Sequence, residues 1–304
     1  MLKHYLQELN YQNIPPFLTK YLFCPTLERL KKVGYFCGMD YASKEIYDFS
    51  EYISRFDHSL TVALLTYNLT KDKTQTLAAL FHDCATPCFS HVIDYMNGDF
   101  ANQETTEEYT EIILREDLIL NQLLKEDNIT IEEITDFKKY PIVDNHRPKV
   151  CADRIDGVIL TGIGWTKNIT KNDITNIIQD LTIFKNEDDI DEISFQTKEI
   201  AQKVLEISES IDIYCHSNED NYMMMLLAKI AKLSIEKKYI TYKDLFKYNE
   251  EDLFKILKRK RCKELKDLIT EFETKKLTDI PHTIIENIKI RDLNPLVNGK
   301  RLKN

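Results

Sequence analysis

Thr74-Gln-Thr-Leu-Ala-Ala-Leu-Phe-His-Asp83 is the stretch that decides how this chain is read. Apolar residues fill its middle, so it reads as a buried helix rather than an amphipathic surface one. The helix delivers His82 and Asp83 near its C-terminal end. Adjacent helical side chains diverge by about 100°, so both reach one ion only where the helix ends or the ion sits off-axis. Upstream, Phe56 to Asn68 carries His58 followed by Leu60, Val62, Ala63, Leu64 and Leu65, a second helix that is apolar almost all round. Downstream, Val150 to Ile163 carries Asp153 and runs into Gly162 and Gly164. Two imidazoles and two carboxylates in the order His58, His82-Asp83, Asp153 form a nitrogen and oxygen donor set suited to a transition metal or magnesium. Burying these groups in apolar helices is costly without a partner. A buried ion pair without a metal is the alternative, and the residues alone leave it open.

The composition fits a mostly all-α fold. The chain has 304 residues, 43% apolar and 30% charged, but only 7 glycines and 8 prolines. Such a chain has few tight turns, which favours long helices over a many-stranded sheet. A net charge of -9 gives no general attraction for polyanions. No nucleic-acid surface is therefore expected, and Lys258-Arg259-Lys260-Arg261 reads as a solvated helix face. The seven cysteines form no disulfide framework, and Cys84 and Cys88 are not a CxxC pair. Reduced thiols, the polar start from Met1 to Asn10 and the lack of a membrane-length apolar run lead to a cytoplasmic expectation.

Three parts are expected: an N-terminal helical segment over 1–44, a catalytic core over 45–185 and a C-terminal helical lobe over 193–304. The acidic stretch Asn186 to Glu192 is read as the solvated boundary between the last two. Helices are predicted over about 171–184, 194–213, 220–237, 241–247, 250–257 and 260–274. Thr283 to Arg291 alternates and is rich in β-branched residues, which predicts a short β segment near the C-terminus. The run Met223 to Met225 reads as core, and His216 to Asp220 as a helix-capping turn. His4, His146 and His282 have no acidic neighbour at ligand spacing and are not read as ligands, although His146 lies close before the Asp153 helix.

Arg55-Phe-Asp-His-Ser-Leu60, Leu80-Phe-His-Asp-Cys-Ala-Thr-Pro-Cys-Phe-Ser-His91 and Ala152-Asp-Arg-Ile-Asp156 together resemble the HD-domain metal-dependent phosphohydrolases. The closest branch is that of the deoxynucleoside triphosphate triphosphohydrolases. Its motifs read R-F-x-H-S-L, H-D-x-x-H-x-P-F-S-H and D-K-x-D-Y. The tail from Ile288 to Leu302 also resembles a segment of that branch. The resemblance covers residues 26 to 165 with specific motifs. It implies an HD helical core with further C-terminal helices, in which His58, His82, Asp83 and Asp153 hold one divalent metal. That ion could be Mn, Fe, Zn, Ni or Mg. It further implies that Arg55 and Arg154 bind substrate phosphate, that His91 contacts the phosphate or protonates the leaving oxygen, and that Asp94 orients His91.

Thr86 stands at a substrate-facing position where the branch has histidine. A second family histidine, in an H-E pair, corresponds to Gln103 before Glu104, and Glu104 is carried over as a catalytic candidate. The sugar-contacting tyrosine and aspartate of the branch are Gly157 and Thr161 here. The metal and phosphate half of the pattern is thus kept while the sugar half is altered. The expected activity is hydrolysis of a phosphate ester of a nucleotide, similar to dNTP triphosphohydrolysis, by metal-activated water with Asp83 accepting its proton. A nucleotidase or phosphodiesterase of the same superfamily, and a non-catalytic nucleotide-binding regulatory protein, are the alternatives. The partner is a small-molecule nucleotide or related phosphate ester, with no membrane, and a homo-oligomer is left open. No GxxxxGK[ST], GxGxxG or GxSxG occurs, so a phosphate-cradling glycine loop or a serine nucleophile elbow is excluded.

Overall fold

A computed structural model describes residues 1–103, 105, 109–283, 285 and 287–303. The fold is mostly α-helical, as composition predicted. At its centre is a hairpin of two buried helices. Ser54 opens the first with a reciprocal capping box: its hydroxyl accepts from the Asp57 amide at 3.1 Å, and the Asp57 carboxylate accepts from the Ser54 amide at 2.8 Å. The N-terminal helices are α1 (Leu2–Glu8), α2 (Pro16–Thr19) and α3 (Pro25–Leu30), and the capped helix is α4 (Arg55–Thr70). It ends where Lys71 turns left-handed at φ 56°. Asp72 then caps α5 (Lys73–Phe81) through the Gln75 amide. This short connection forces α4 and α5 to pack antiparallel. The helix ends at Phe81, so His82 and Asp83 project from its terminus, one of the two arrangements that adjacency allowed.

Beyond α5 the chain turns through Pro87 to Ser90 with Phe89 and Ser90 at φ 69° and 47°, then enters α6 (Val92–Asn97). Of the helices α7 (Thr110–Glu116), α8 (Leu118–Glu126) and α9 (Ile131–Thr135), α9 packs on α5, α7 on α9 and α8 on α7. Next comes α10 (Ala152–Gly164), which packs on α4 and carries Asp153 at its first turn. The α11 helix (Lys171–Asp180) is shorter than predicted. Residues read as its last turn are instead strand β1 (Leu181–Lys185), which pairs antiparallel with β2 (Asp191–Phe195).

The acidic stretch is the turn of this hairpin, with Asn186 donating its amide to Ile190 O at 2.9 Å. Most of it is exposed, but Glu192 is fully buried and paired with Arg301. The long helices α12 (Lys198–Cys215) and α13 (Asn218–Glu236), then α14 (Glu250–Lys258) and α15 (Lys263–Thr274), complete the helical part. Ser217 caps α13 through the Asp220 amide, so His216 to Asp220 is a capping turn as read. Met223 and Met224 are core, while Met225 faces out.

The predicted strand over 283–291 is not formed among the described residues. Asn287 sits at φ 60°, and the backbone amides of Lys289 and Arg291 donate to Phe100 O and Asp212 Oδ1, both at 2.9 Å, instead of to a ladder. The alternation there reflects a strap lying along other elements: Ile288 is buried and Ile290 is 68% exposed. The C-terminal β segment comes later, as β3 (Leu296–Val297), parallel to β2, and β4 (Lys300–Arg301), antiparallel to β3. Buried side chains form two clusters. One is built on α4, α5, α10 and α12, and the other on α6, α13, α14 and α15. A cavity of about 840 Å³ touches both.

Candidate metal centre

His58, His82, Asp83 and Asp153 converge at the wall of this cavity, brought there by α4, the end of α5 and the first turn of α10. His58 Nε2 lies 3.1 Å from Asp153 Oδ1 and 3.8 Å from Asp83 Oδ2. His82 Nε2 lies 3.6 Å from Asp153 Oδ1 and 3.9 Å from Asp83 Oδ1. The donors of His58, His82 and Asp83 all lie within 4.8 Å of one another.

The far nitrogen of each imidazole shows how the rings are set. His82 Nδ1 donates to Ala79 O at 2.7 Å, leaving Nε2 with its lone pair toward the cluster. That Nε2 is buried and has no hydrogen-bond partner among the described residues. Such an orphaned acceptor is costly in a protein interior and fits a metal-ligating imidazole. His58 Nδ1 donates to Asp156 Oδ2 at 2.6 Å, and Asp156 Oδ1 accepts from Tyr5 at 2.6 Å. This is the carboxylate–histidine arrangement that fixes the tautomer of a ligand imidazole. The donor set and its orienting partners therefore fit a divalent cation.

Electrostatics agree with the geometry. Burial opposes a charge on His58, but hydrogen bonds to Asp153 and Asp156 push its pKa up to about 10. A cation set among the donors would meet the same carboxylates in the proton's place. Burial likewise opposes ionisation of Asp83, yet Arg55, His82 and His58 hold its carboxyl well below the usual range. His58 and His82 likewise hold the Asp153 carboxyl below the usual range against burial, so both aspartates are ionised at neutral pH, as a hard cation requires.

Of the other sequence candidates, Arg55 is bound to Asp83 Oδ2 at 2.8 Å and to Ser90 Oγ at 3.2 Å, with its guanidinium 5.0 Å above the Tyr35 ring. His91 lines the cavity, and its Nδ1 donates to Asp94 Oδ2 at 3.0 Å. Asp94 is held in turn by the Thr105 hydroxyl and amide. Burial lowers the His91 pKa, Asp94 works against that, and Arg55 adds to it. His91 is therefore neutral before an anion arrives, with Nε2 available. Arg154 also lines the cavity, its guanidinium tied to Lys149 O, to Asn145 O and, at 3.4 Å, to Asp144.

Thr86 does not line the main cavity. It borders a small side chamber with Asp83, Pro87, Ser90, His91 and Gln103. Glu104 lies outside the described residues. His146, not read as a site residue from its spacing, lines the cavity because it lies just before the Asp153 helix. Gly157 and Thr161 line it too, and a Cβ on Gly157 would come 3.2 Å from the Tyr35 hydroxyl.

Sequence reasoning assigned no role to Asp156, Tyr5 or Tyr35. Asp156 lies three residues after Asp153, one turn along the same helix, and that spacing was a usable signal. Tyr5 and Tyr35 carried none, because their contacts are made across long stretches of chain.

Residues 55–158 match the HD domain model, a domain of metal-dependent hydrolases, and the matched span contains His58, His82 and Asp83 together with Asp153, which lies 3.1 Å from His58 and 3.6 Å from His82. The chain is also similar to the Bacillus subtilis (strain 168) protein YdhJ, itself described as uncharacterized, with 26% identity over 224 residues. The similarity takes in 72% of this chain, which spans 65% of that relative's length.

Proposed function

We propose that this protein is a metal-dependent phosphohydrolase acting on a small phosphate ester, with a nucleotide as the favoured substrate. The observation that carries the reading is the convergence of two oriented imidazoles and two ionised carboxylates, with the buried His82 Nε2 otherwise without a partner. His58, His82, Asp83 and Asp153 would hold one divalent ion, which supplies Lewis acidity toward phosphate oxygen and water of lowered pKa. Arg55, buried and ion-paired with Asp83, both fixes that carboxylate and presents its remaining donors to a phosphate. In this reading Asp83 accepts a proton from the attacking water. His91, held by Asp94, lines the cavity; with a proton taken up on Nε2 when the anionic phosphate binds, it would contact the phosphate or pass that proton to the leaving oxygen.

A non-catalytic binding protein is favoured by one feature: Thr86 and Gln103 replace two histidines of the resembled branch. Measuring metal content and phosphate release across dNTPs, nucleoside monophosphates and cyclic dinucleotides separates the readings. Asp83→Ala is expected to abolish bound metal and turnover together. Full activity after exhaustive chelation would defeat the proposal, and bound metal and nucleotide without phosphate release would favour the rival.

A further inference from the structure

We propose that the cavity holds a second anion site, built by Arg147, Arg291 and the side-chain amide of Gln103, which takes a second phosphoryl group of the ligand. Only the position of the first phosphoryl group rests on the phosphohydrolase reading. Both arginines line the cavity that contains His58 and Asp153. Neither forms an ion pair among the described residues. Arg147 donates to Asp292 O at 3.1 Å, and Arg291 donates to Lys289 O at 3.1 Å and Gln103 Oε1 at 3.2 Å. All three acceptors are neutral.

Arg291 belongs to the strap, whose backbone is pinned by Asp212, so its position is fixed by the fold. Through Asp292 O the strap holds Arg147 beside it. Arg154, which lines the same cavity, is the one of the three arginines whose guanidinium forms an ion pair among the described residues, with Asp144 at 3.4 Å.

Burial, with Arg154 and Arg291 nearby, lowers the Arg147 pKa, while Asp153 works the other way; against burial, neighbours that include Asp144 for Arg154 and Asp220 for Arg291 raise the pKa of those two, so Arg147 is the least compensated of the three. Like charges gathered on a cavity wall are costly unless an anion joins them. In a chain of net charge -9 such clustering is not a general surplus of base.

Gln103 supplies the independent observation. Its Oε1 is taken by Arg291, and its Nε2 is a buried donor with no partner among the described residues. Gln103 borders both the main cavity and the side chamber next to Asp83 and His91. An orphaned donor held by a guanidinium at the edge of the site suits a phosphate oxygen. Asp220, within electrostatic reach of Arg291, is engaged by the Tyr47 hydroxyl at 2.6 Å and forms no ion pair with the arginine.

The test is calorimetric binding of orthophosphate and imidodiphosphate, whose bridge resists hydrolysis, to the full chain with manganese and again after chelation. Fructose 1,6-bisphosphate is a third probe. Imidodiphosphate is expected to bind at least about ten-fold more tightly than orthophosphate, the worth of one charge-assisted contact. In the Arg147→Gln/Arg291→Gln double variant that ratio is expected to fall to within about three-fold of unity, with melting temperature and manganese affinity unchanged.

Should the double variant fail to fold, Arg147→Lys and Arg291→Lys, which keep charge but lose the fork, are each expected to reduce the ratio. A preference confined to fructose 1,6-bisphosphate would keep the site but assign it to a separated phosphate. Equal binding of all three probes, or a ratio untouched by the variants, would overturn the inference. Absence of metal-dependent hydrolysis with the ratio intact would sink the phosphohydrolase reading alone.

Discussion

At the residue scale, the centre depends on side chains that would not touch the ion. Tyr5, Asp156 and His58 form a buried chain of two 2.6 Å hydrogen bonds reaching from α1 to the cluster. Asp156→Asn removes the charge behind His58 and leaves one amide oxygen where two carboxylate oxygens accepted from His58 and Tyr5. Metal affinity is expected to drop by roughly 10–100-fold, the usual effect of losing such an outer partner. Tyr5→Phe leaves the carboxylate in place and removes one hydrogen bond, so a smaller loss is expected, about 1 kcal/mol. Metal titration of each purified variant checks both, and an Asp156→Asn protein with wild-type affinity would show that His58 needs no charged partner behind it.

At the element scale, the α4–α5 hairpin and the start of α10 set the distances among the donors. Ser54→Ala removes half of the capping box on α4 and is expected to cost about 1 kcal/mol, read from urea unfolding. Close packing at the far end of α10 constrains the other side of the cavity. A Cβ at Gly164 would sit 2.5 and 2.7 Å from Phe36, whose ring stacks on Phe49 at 4.3 Å. Gly164→Ala is therefore expected to destabilise by about 1–3 kcal/mol through overpacking, measured in the same unfolding assay. An unchanged midpoint would mean that the aromatic wall yields freely.

At the scale of the whole molecule, Glu250 ties the two clusters together. This fully buried carboxyl at the start of α14 accepts from the Gly34 amide at 3.0 Å and the Phe89 amide at 3.3 Å. Burial and the neighbouring Asp40 push its pKa up to about 8, against the two amides and Arg55. The folded state thus holds this proton more tightly than the unfolded chain. Its contribution is fully present below the ordinary glutamate pKa and is lost as pH rises to about 8. Glu250→Gln is expected to flatten this part of the pH dependence of the urea midpoint. An equal slope in the variant and the wild type would show that Glu250 does not titrate in this window.

The same chain also shows where reading from sequence stops. The helical class, the two buried helices and the bringing together of His58, His82, Asp83 and Asp153 were legible, because apolar periodicity and clustered ligand-type residues are local signals. The 181–195 hairpin was missed: its first strand continues the apolar pattern of α11, and only pairing with β2 and the tail distinguishes strand from helix there. The 283–291 segment misled for the converse reason, since alternation records one buried face but not whether a neighbouring strand exists. Sequence by itself determined which ligand-type side chains lie in, or directly after, buried helices. Only the tertiary structure decided that Asp156 and Tyr5 stand behind His58, and that Arg291, more than a hundred residues from the matched domain, shares its cavity. The reason is physical: hydrogen bonds and charge contacts between distant segments depend on the packed arrangement of the chain, which no local pattern encodes.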